Sequence, residues 1–136
     1  MGEDNSKMEN LKTHIMHGLY SIDHTIEYRQ IVDVASDWFL DKYNMQDPEM
    51  TIKMNLTNST NLKCWGESFQ VDYSLKIYSV SIATDQYLRD FLATLMHELV
   101  HVYQWVRGEW EDDGEKEAED KQYKLADEFW KEGLIR

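Results

Sequence analysis

The residues in this chain best suited to chemistry are His97, Glu98 and His101, in the order His-Glu-Leu-Val-His. Residues four apart share one face of a helix, with side chains close enough to hold one ion. Two imidazole nitrogens then occupy two corners of a zinc tetrahedron at about 2.0–2.1 Å. Glu98, beside the first histidine, leans toward the same site and is placed to take a proton from a metal-bound water. That chemistry needs these three residue types at this spacing. The neighbours Leu95, Met96, Leu99, Val100 and Val102 are apolar. Burying two histidines and a glutamate among them without a partner is costly, and a metal removes that cost.

A structural zinc is closed by four protein ligands, whereas a catalytic one keeps a position open for water. Neither histidine nor cysteine follows His101, so the third ligand is sought among Glu115, Glu117, Glu119 and Asp120. The inward stripe expected there is Ala118, Gln122, Leu125, Ala126 and Phe129. Extended backwards it takes in Glu115, with Glu119 just beside it. Glu117 falls in register with Lys121, Lys124 and Glu128, a solvated face. One of Glu115 and Glu119 is expected to bind the metal, and the other to orient a ligand histidine. Folding the chain back through a loop centred near Glu111 brings His101 near Lys121, which favours Glu119.

The elements that must position these groups follow from periodicity. Tyr28, Ile31, Val32, Ala35, Trp38, Phe39 and Tyr43 step at helical spacing, with Ser21 as the expected N-cap. Ile52, Met54 and Leu56 alternate with polar residues and predict a half-buried strand. Thr57 to Asn61 is a turn cluster. Leu62–Val71 and Leu75–Ala83, rich in β-branched and aromatic residues, predict two strands paired as a hairpin. Thr84 or Asp85 is expected to cap the helix carrying the histidines, which is apolar on most sides and should be central. Gly108 should end it. A short acidic loop, 109–113, leads to a last helix capped by Asp112 or Asp113 and running to about Gly133. The expected fold class is α+β: an N-terminal helix, a small, mostly antiparallel three-stranded sheet, and the histidine-bearing and C-terminal helices forming a hairpin.

At 136 residues, 42% hydrophobic and 12% aromatic, the chain has the composition of one globular domain, taken as 11–136 after a polar, acidic tail at 1–10 with no signal-peptide character. No apolar run approaches the roughly 20 residues that span a bilayer, so no membrane partner is expected. The net charge of −12 and the absence of a Lys/Arg stripe argue against direct nucleic-acid binding through the phosphate backbone. Cys64 is the only cysteine, which excludes a disulfide framework and a cysteine-rich zinc site. It is read as a half-buried strand thiol in a reducing, cytoplasmic setting. His14, His17 and His24 are read as solvent-exposed. Trp65, in the second strand, is read first as a core or edge aromatic, and Trp65-Gly66 as an alternative border of a cleft in which a peptide adds to a sheet edge.

The segment Thr94-Leu95-Met96-His97-Glu98-Leu99-Val100-His101-Val102-Tyr103-Gln104-Trp105 resembles the active-site helix of the SprT-like metallopeptidases. In that family a helix and a small sheet precede a T-L-x-H-E-L-x-H helix, and a third ligand follows about one hairpin later, usually a histidine in an H-G-x-x-F context. Glu115, in Gly114-Glu115-Lys116-Glu117-Ala118, falls where that histidine would stand. Tyr123-Lys124-Leu125-Ala126 is also similar to the family's helix. A glutamate ligand is the mark of gluzincins, whose E-x-x-A pattern followed by an acidic residue is similar to Glu115–Glu119. The resemblance runs from Asp85 to Trp130 and is only architectural before that. It implies zinc as cofactor, a protein or peptide as substrate, Glu98 as general base and Glu115 as third ligand. The competing expectation is a metal-stabilised interaction or regulatory protein with little or no turnover.

Overall fold

The computed structural model describes residues 10–11 and 26–135. The expected N-terminal tail, apart from Asn10, lies outside the described residues, as do His14, His17, His24 and Ser21; Ser21 is not the N-cap of the expected helix, which starts at Tyr28 after an extended Glu27 in the cap position. The chain order is β1 (Asn10–Leu11), β2 (Ile26–Glu27), α1 (Tyr28–Lys42), β3 (Thr51–Thr57), a helical turn α2 (Ser59–Leu62), β4 (Gly66–Asp72), β5 (Ile77–Ala83), α3 (Leu88–Arg107) and α4 (Glu115–Lys131). β1 and β2 form a short antiparallel pair. The class is α+β, as expected.

α3 is the centre of the molecule. Leu88, Phe91, Leu92, Leu95, Met96, Leu99, Val100 and Val102 are all fully buried, so it is enclosed on most sides. α1 lays Ile31, Val32, Ala35 and Phe39 against the core, and Tyr28 meets Phe91 with ring centroids 4.7 Å apart. Ile31, Val32 and Phe39 each contribute roughly 1.5–3 kcal/mol on removal from water, before the entropy of ordering them is subtracted.

The sheet departs from expectation. Its order is β3-β5-β4. β4 and β5 form the expected antiparallel hairpin, but β3 runs parallel to β5. The sheet is therefore mixed rather than mostly antiparallel. β5 takes the middle because Tyr78, Val80 and Ile82 give it a fully buried face. A parallel neighbour needs a crossover, and here α2 and β4 supply it. The expected strand start at Leu62 is overtaken by this crossover. Asn58 caps α2 by accepting from the Asn61 backbone at 2.8 Å, and β4 begins only at Gly66. Cys64, between them, is exposed rather than half-buried in a strand.

Thr84 and Asp85 do not cap α3. Tyr87 holds the N-cap position without a side-chain bond. The Asp85 carboxylate is turned instead to α2, where it accepts from the Ser59 backbone at 2.8 Å and from the Ser59 hydroxyl. α3 ends at Gly108, whose φ of 80° is the left-handed cap that favours glycine. α4 begins after Gly114, and Asp113 accepts from the Glu115 backbone at 3.0 Å from just outside the helix.

α4 returns antiparallel along α3. Near the start of α3, Arg89 grips Asp127 with two bonds of 3.0 and 3.1 Å, and Asp90 accepts from the Tyr123 hydroxyl at 2.6 Å. Near its end, Arg107 reaches Glu117. Among the described residues no helix is long and apolar enough to cross a membrane.

Candidate metal centre

His97 and His101 lie one turn apart on α3, on the side facing the start of α4. Their ring centroids are 5.0 Å apart. Glu115, the first residue of α4, spans both rings. Its Oε2 is 3.1 Å from His97 Nε2 and its Oε1 is 2.7 Å from His101 Nε2. Each of the three residues offers one atom such that all lie within 4.8 Å of one another.

The far nitrogen of each ring is also held. Gln122 Oε1 stands 2.6 Å from His97 Nδ1, and Gln104 Oε1 stands 3.0 Å from His101 Nδ1. An amide oxygen only accepts, so each Nδ1 carries a proton and donates it. In a neutral ring the Nε2 then presents a lone pair toward the Glu115 carboxylate. Two lone pairs and a carboxylate converge on one point, which requires positive charge there: protons on the rings or a cation. A tetrahedral zinc with ligand bonds of about 2.0–2.1 Å sets its ligand atoms roughly 3.3 Å apart. Here one atom from each of the three residues falls within 4.8 Å of the others, and two imidazole nitrogens with a carboxylate are a donor set zinc accepts, so the residues fit the ion.

Glu98 sits at the edge of this cluster, only 6% exposed. Its Oε1 accepts from the Ser68 hydroxyl at 2.7 Å. Ser68 is on β4 opposite Val80, and so on the sheet face that packs against α3. Burial pushes the Glu98 carboxyl above the usual carboxylate range, and Glu115 adds to this. The Ser68 hydrogen bond, then His97 and His101, act in the other direction. Gly66 opens β4 directly above. A Cβ there would collide with Thr94 and lie 3.3 Å from Glu98 Oε2, so glycine is what lets the strand approach Glu98.

The two open candidates for the third position separate clearly. Glu115 is brought to both imidazoles, while Glu119 is exposed on α4 and lies outside the cluster. The stripe of α4 that meets α3 runs through Glu115, Ala118 and Gln122, and Glu119 points away from it. The second carboxylate expected to orient a histidine is replaced by carboxamides, Gln122 and Gln104. The fold-back count failed because α4 starts immediately after the loop, so its first side chain already reaches the site.

Glu117 is not a freely solvated residue. It is bonded to Arg107, Lys121 and Gln104 at 2.7, 2.7 and 3.0 Å, and the Arg107 hydrogen bond above all pulls its carboxyl down to about 2. Sequence reasoning missed Ser68 and Gln104. Ser68 carries no local signal, but Gln104 stands three residues after His101, a spacing that places it one turn along the same face. No family model, curated protein or solved structure matches this chain.

Proposed function

We propose that this protein is a zinc-dependent metallopeptidase, with His97, His101 and Glu115 as ligands and Glu98 as general base. The observation that carries this reading is the placement of Glu98. A site that only stabilised the fold would not need a buried carboxylate beside its ligands, tethered through one oxygen. When bound, zinc would acidify a water and polarise the scissile carbonyl.

The chain's own residues do the rest. Ser68 holds Glu98 Oε1, which leaves Oε2 to take the water proton and return it to the departing amine. Burial makes that carboxylate a stronger proton acceptor. β4, an edge strand, offers backbone groups beside the site along which a peptide substrate can add as a further strand. The likeness of Thr94–Trp105 to the SprT-like active-site helix accords with this chemistry, and kinship with that family is part of the proposal. A cytoplasmic setting belongs to it as well, and rests on the single thiol, Cys64.

The test is metal analysis of the purified chain, followed by digestion of an unfolded protein such as casein. About one zinc per chain, with cleavage that is lost in Glu98→Gln, supports the proposal. A chain that binds no zinc, or equal cleavage by parent and variant, overturns it.

A further inference from the structure

Gln104 is 2% exposed and has every polar atom of its side chain engaged. Its Nε2 donates to the Gly114 carbonyl at 2.9 Å and to Glu117 Oε1 at 3.0 Å. Both partners are acceptors, so the amide can face them only with its NH2 group. The oxygen is thereby turned to His101 Nδ1, 3.0 Å away.

We infer that Gln104 is the positioning residue that presents His101 to the metal through Nε2, and that Glu117 sets the orientation of Gln104. The inference rests on the metal-centre reading above. Were the carboxamide flipped, its NH2 group would face Nδ1 and its oxygen would face two acceptors. Nδ1 would then have to accept, and the ring proton would sit on Nε2, the atom that faces Glu115. A ring in that state cannot bind a metal through Nε2. Glu117, which does not touch the imidazole, therefore acts on its tautomer through one intervening amide.

Two further features secure the arrangement. Arg107 Nη2 and Lys121 Nζ, each 2.7 Å from the Glu117 carboxylate, hold it against Gln104. Gly114 has a φ of 79°, and a Cβ there would collide with the Gln104 carboxamide. The loop residue before the third ligand thus leaves room for the group that orients the second.

The test uses the full chain loaded with zinc alone. Zinc affinity is measured by chelator competition in the parent, Gln104→Leu, Glu117→Ala and Glu117→Gln. Gln104→Leu is expected to weaken zinc by about 10–100-fold, and Glu117→Ala to weaken it less. Glu117→Gln retains an acceptor oxygen and should restore near-parental affinity. In the 15N-labelled zinc form, the His101 Nδ1 proton should exchange slowly with water in the parent and in Glu117→Gln, and fast in Gln104→Leu and Glu117→Ala. A merely structural role would not move that proton. Parental affinity with slow exchange in both Gln104→Leu and Glu117→Ala overturns the inference and leaves the metal centre intact. If Gln104→Leu fails to fold, Glu117→Ala decides on the same two measurements. A parental chain that binds no zinc overturns both.

Discussion

Glu115, 14 residues beyond His101, sets Oε1 2.7 Å from that ring's Nε2 while its other oxygen reaches His97. One carboxylate from α4 thus closes a triangle that α3 alone had only begun. A helix supplies two ligands by its own periodicity, but the third must come from a separate element held at the right height. Arg89–Asp127 and Tyr123–Asp90 clamp the hairpin toward one end, and Arg107–Glu117 toward the other.

The first prediction separates the two glutamates of α4. Glu115→Ala should abolish tight zinc binding and lower the melting temperature of the zinc-loaded chain, because metal that binds only the folded state adds to its stability. His97→Ala should do the same. Glu119→Ala should leave zinc affinity unchanged, since Glu119 is exposed and outside the cluster. Zinc titration of the three variants checks this, and a greater loss in Glu119→Ala than in Glu115→Ala would contradict the geometry.

Glu98→Gln should keep its zinc and lose about 10²–10⁴-fold in turnover, the usual size of a general-base contribution. Ser68→Ala should also keep its zinc, since it contacts the base and no ligand. Its turnover should fall less than that of Glu98→Gln, with most of the loss in kcat. Steady-state cleavage of a peptide substrate, run beside metal analysis, gives both numbers. A Ser68→Ala variant as active as the parent would show that the tether to Oε1 is dispensable.

Gly66→Ala should destabilise the chain by roughly 1–3 kcal/mol, the usual cost of forcing a methyl into a packed contact. The added carbon meets Thr94 and crowds Glu98. Denaturant melts measure the stability, and zinc content should stay parental because no ligand is touched.

Tyr28 predicts a loss of stability in alkali. Burial, with Asp85 adding to it, raises its phenol from 10.0 to about 12. The folded state therefore holds that proton more tightly than the unfolded chain does. The resulting stability is fully present below pH 10 and is lost as pH rises through about 12. Tyr28→Phe should flatten the decline across that window, read from denaturant melts at successive pH values. An unchanged slope would place the alkaline sensitivity in other groups.

Much of the fold was legible because it rests on local periodicity. The apolar positions from Tyr28 to Phe39 step at the helical interval, and every one except Trp38 is buried in α1. Gly108 ends α3 because a left-handed residue without a Cβ is what a helix terminus favours. The β4–β5 hairpin was readable from two β-rich runs around a short connection. The parallel pairing of β3 was not, because alternation says which face of a strand is buried and nothing about which neighbour it takes. The caps expected at Thr84 and Asp85 failed for a similar reason: Ser59, 26 residues away in sequence, claims the Asp85 carboxylate.

The candidate site divides along the same line. His97, Glu98 and His101 could be placed together from sequence alone, since four residues is one turn of one helix and no other element is needed. Helical phase also put Glu115 and Glu119 near the inner face of α4. It could not choose between them, because 100° of rotation per residue leaves two positions near the edge of any stripe. The choice fell to how α4 docks on α3, which turns Ala118 and Gln122 inward and Glu119 out to solvent. Ser68 was beyond reach for the same physical reason, and Gln104, although its spacing puts it on the face of His101, showed nothing of the role it plays there. A serine hydroxyl or a glutamine amide acquires its role only from the partner it meets, and Glu98 is 30 residues from Ser68. Spacing along one helix was decided by the sequence; the side-chain contacts between elements that complete the site waited on their packing.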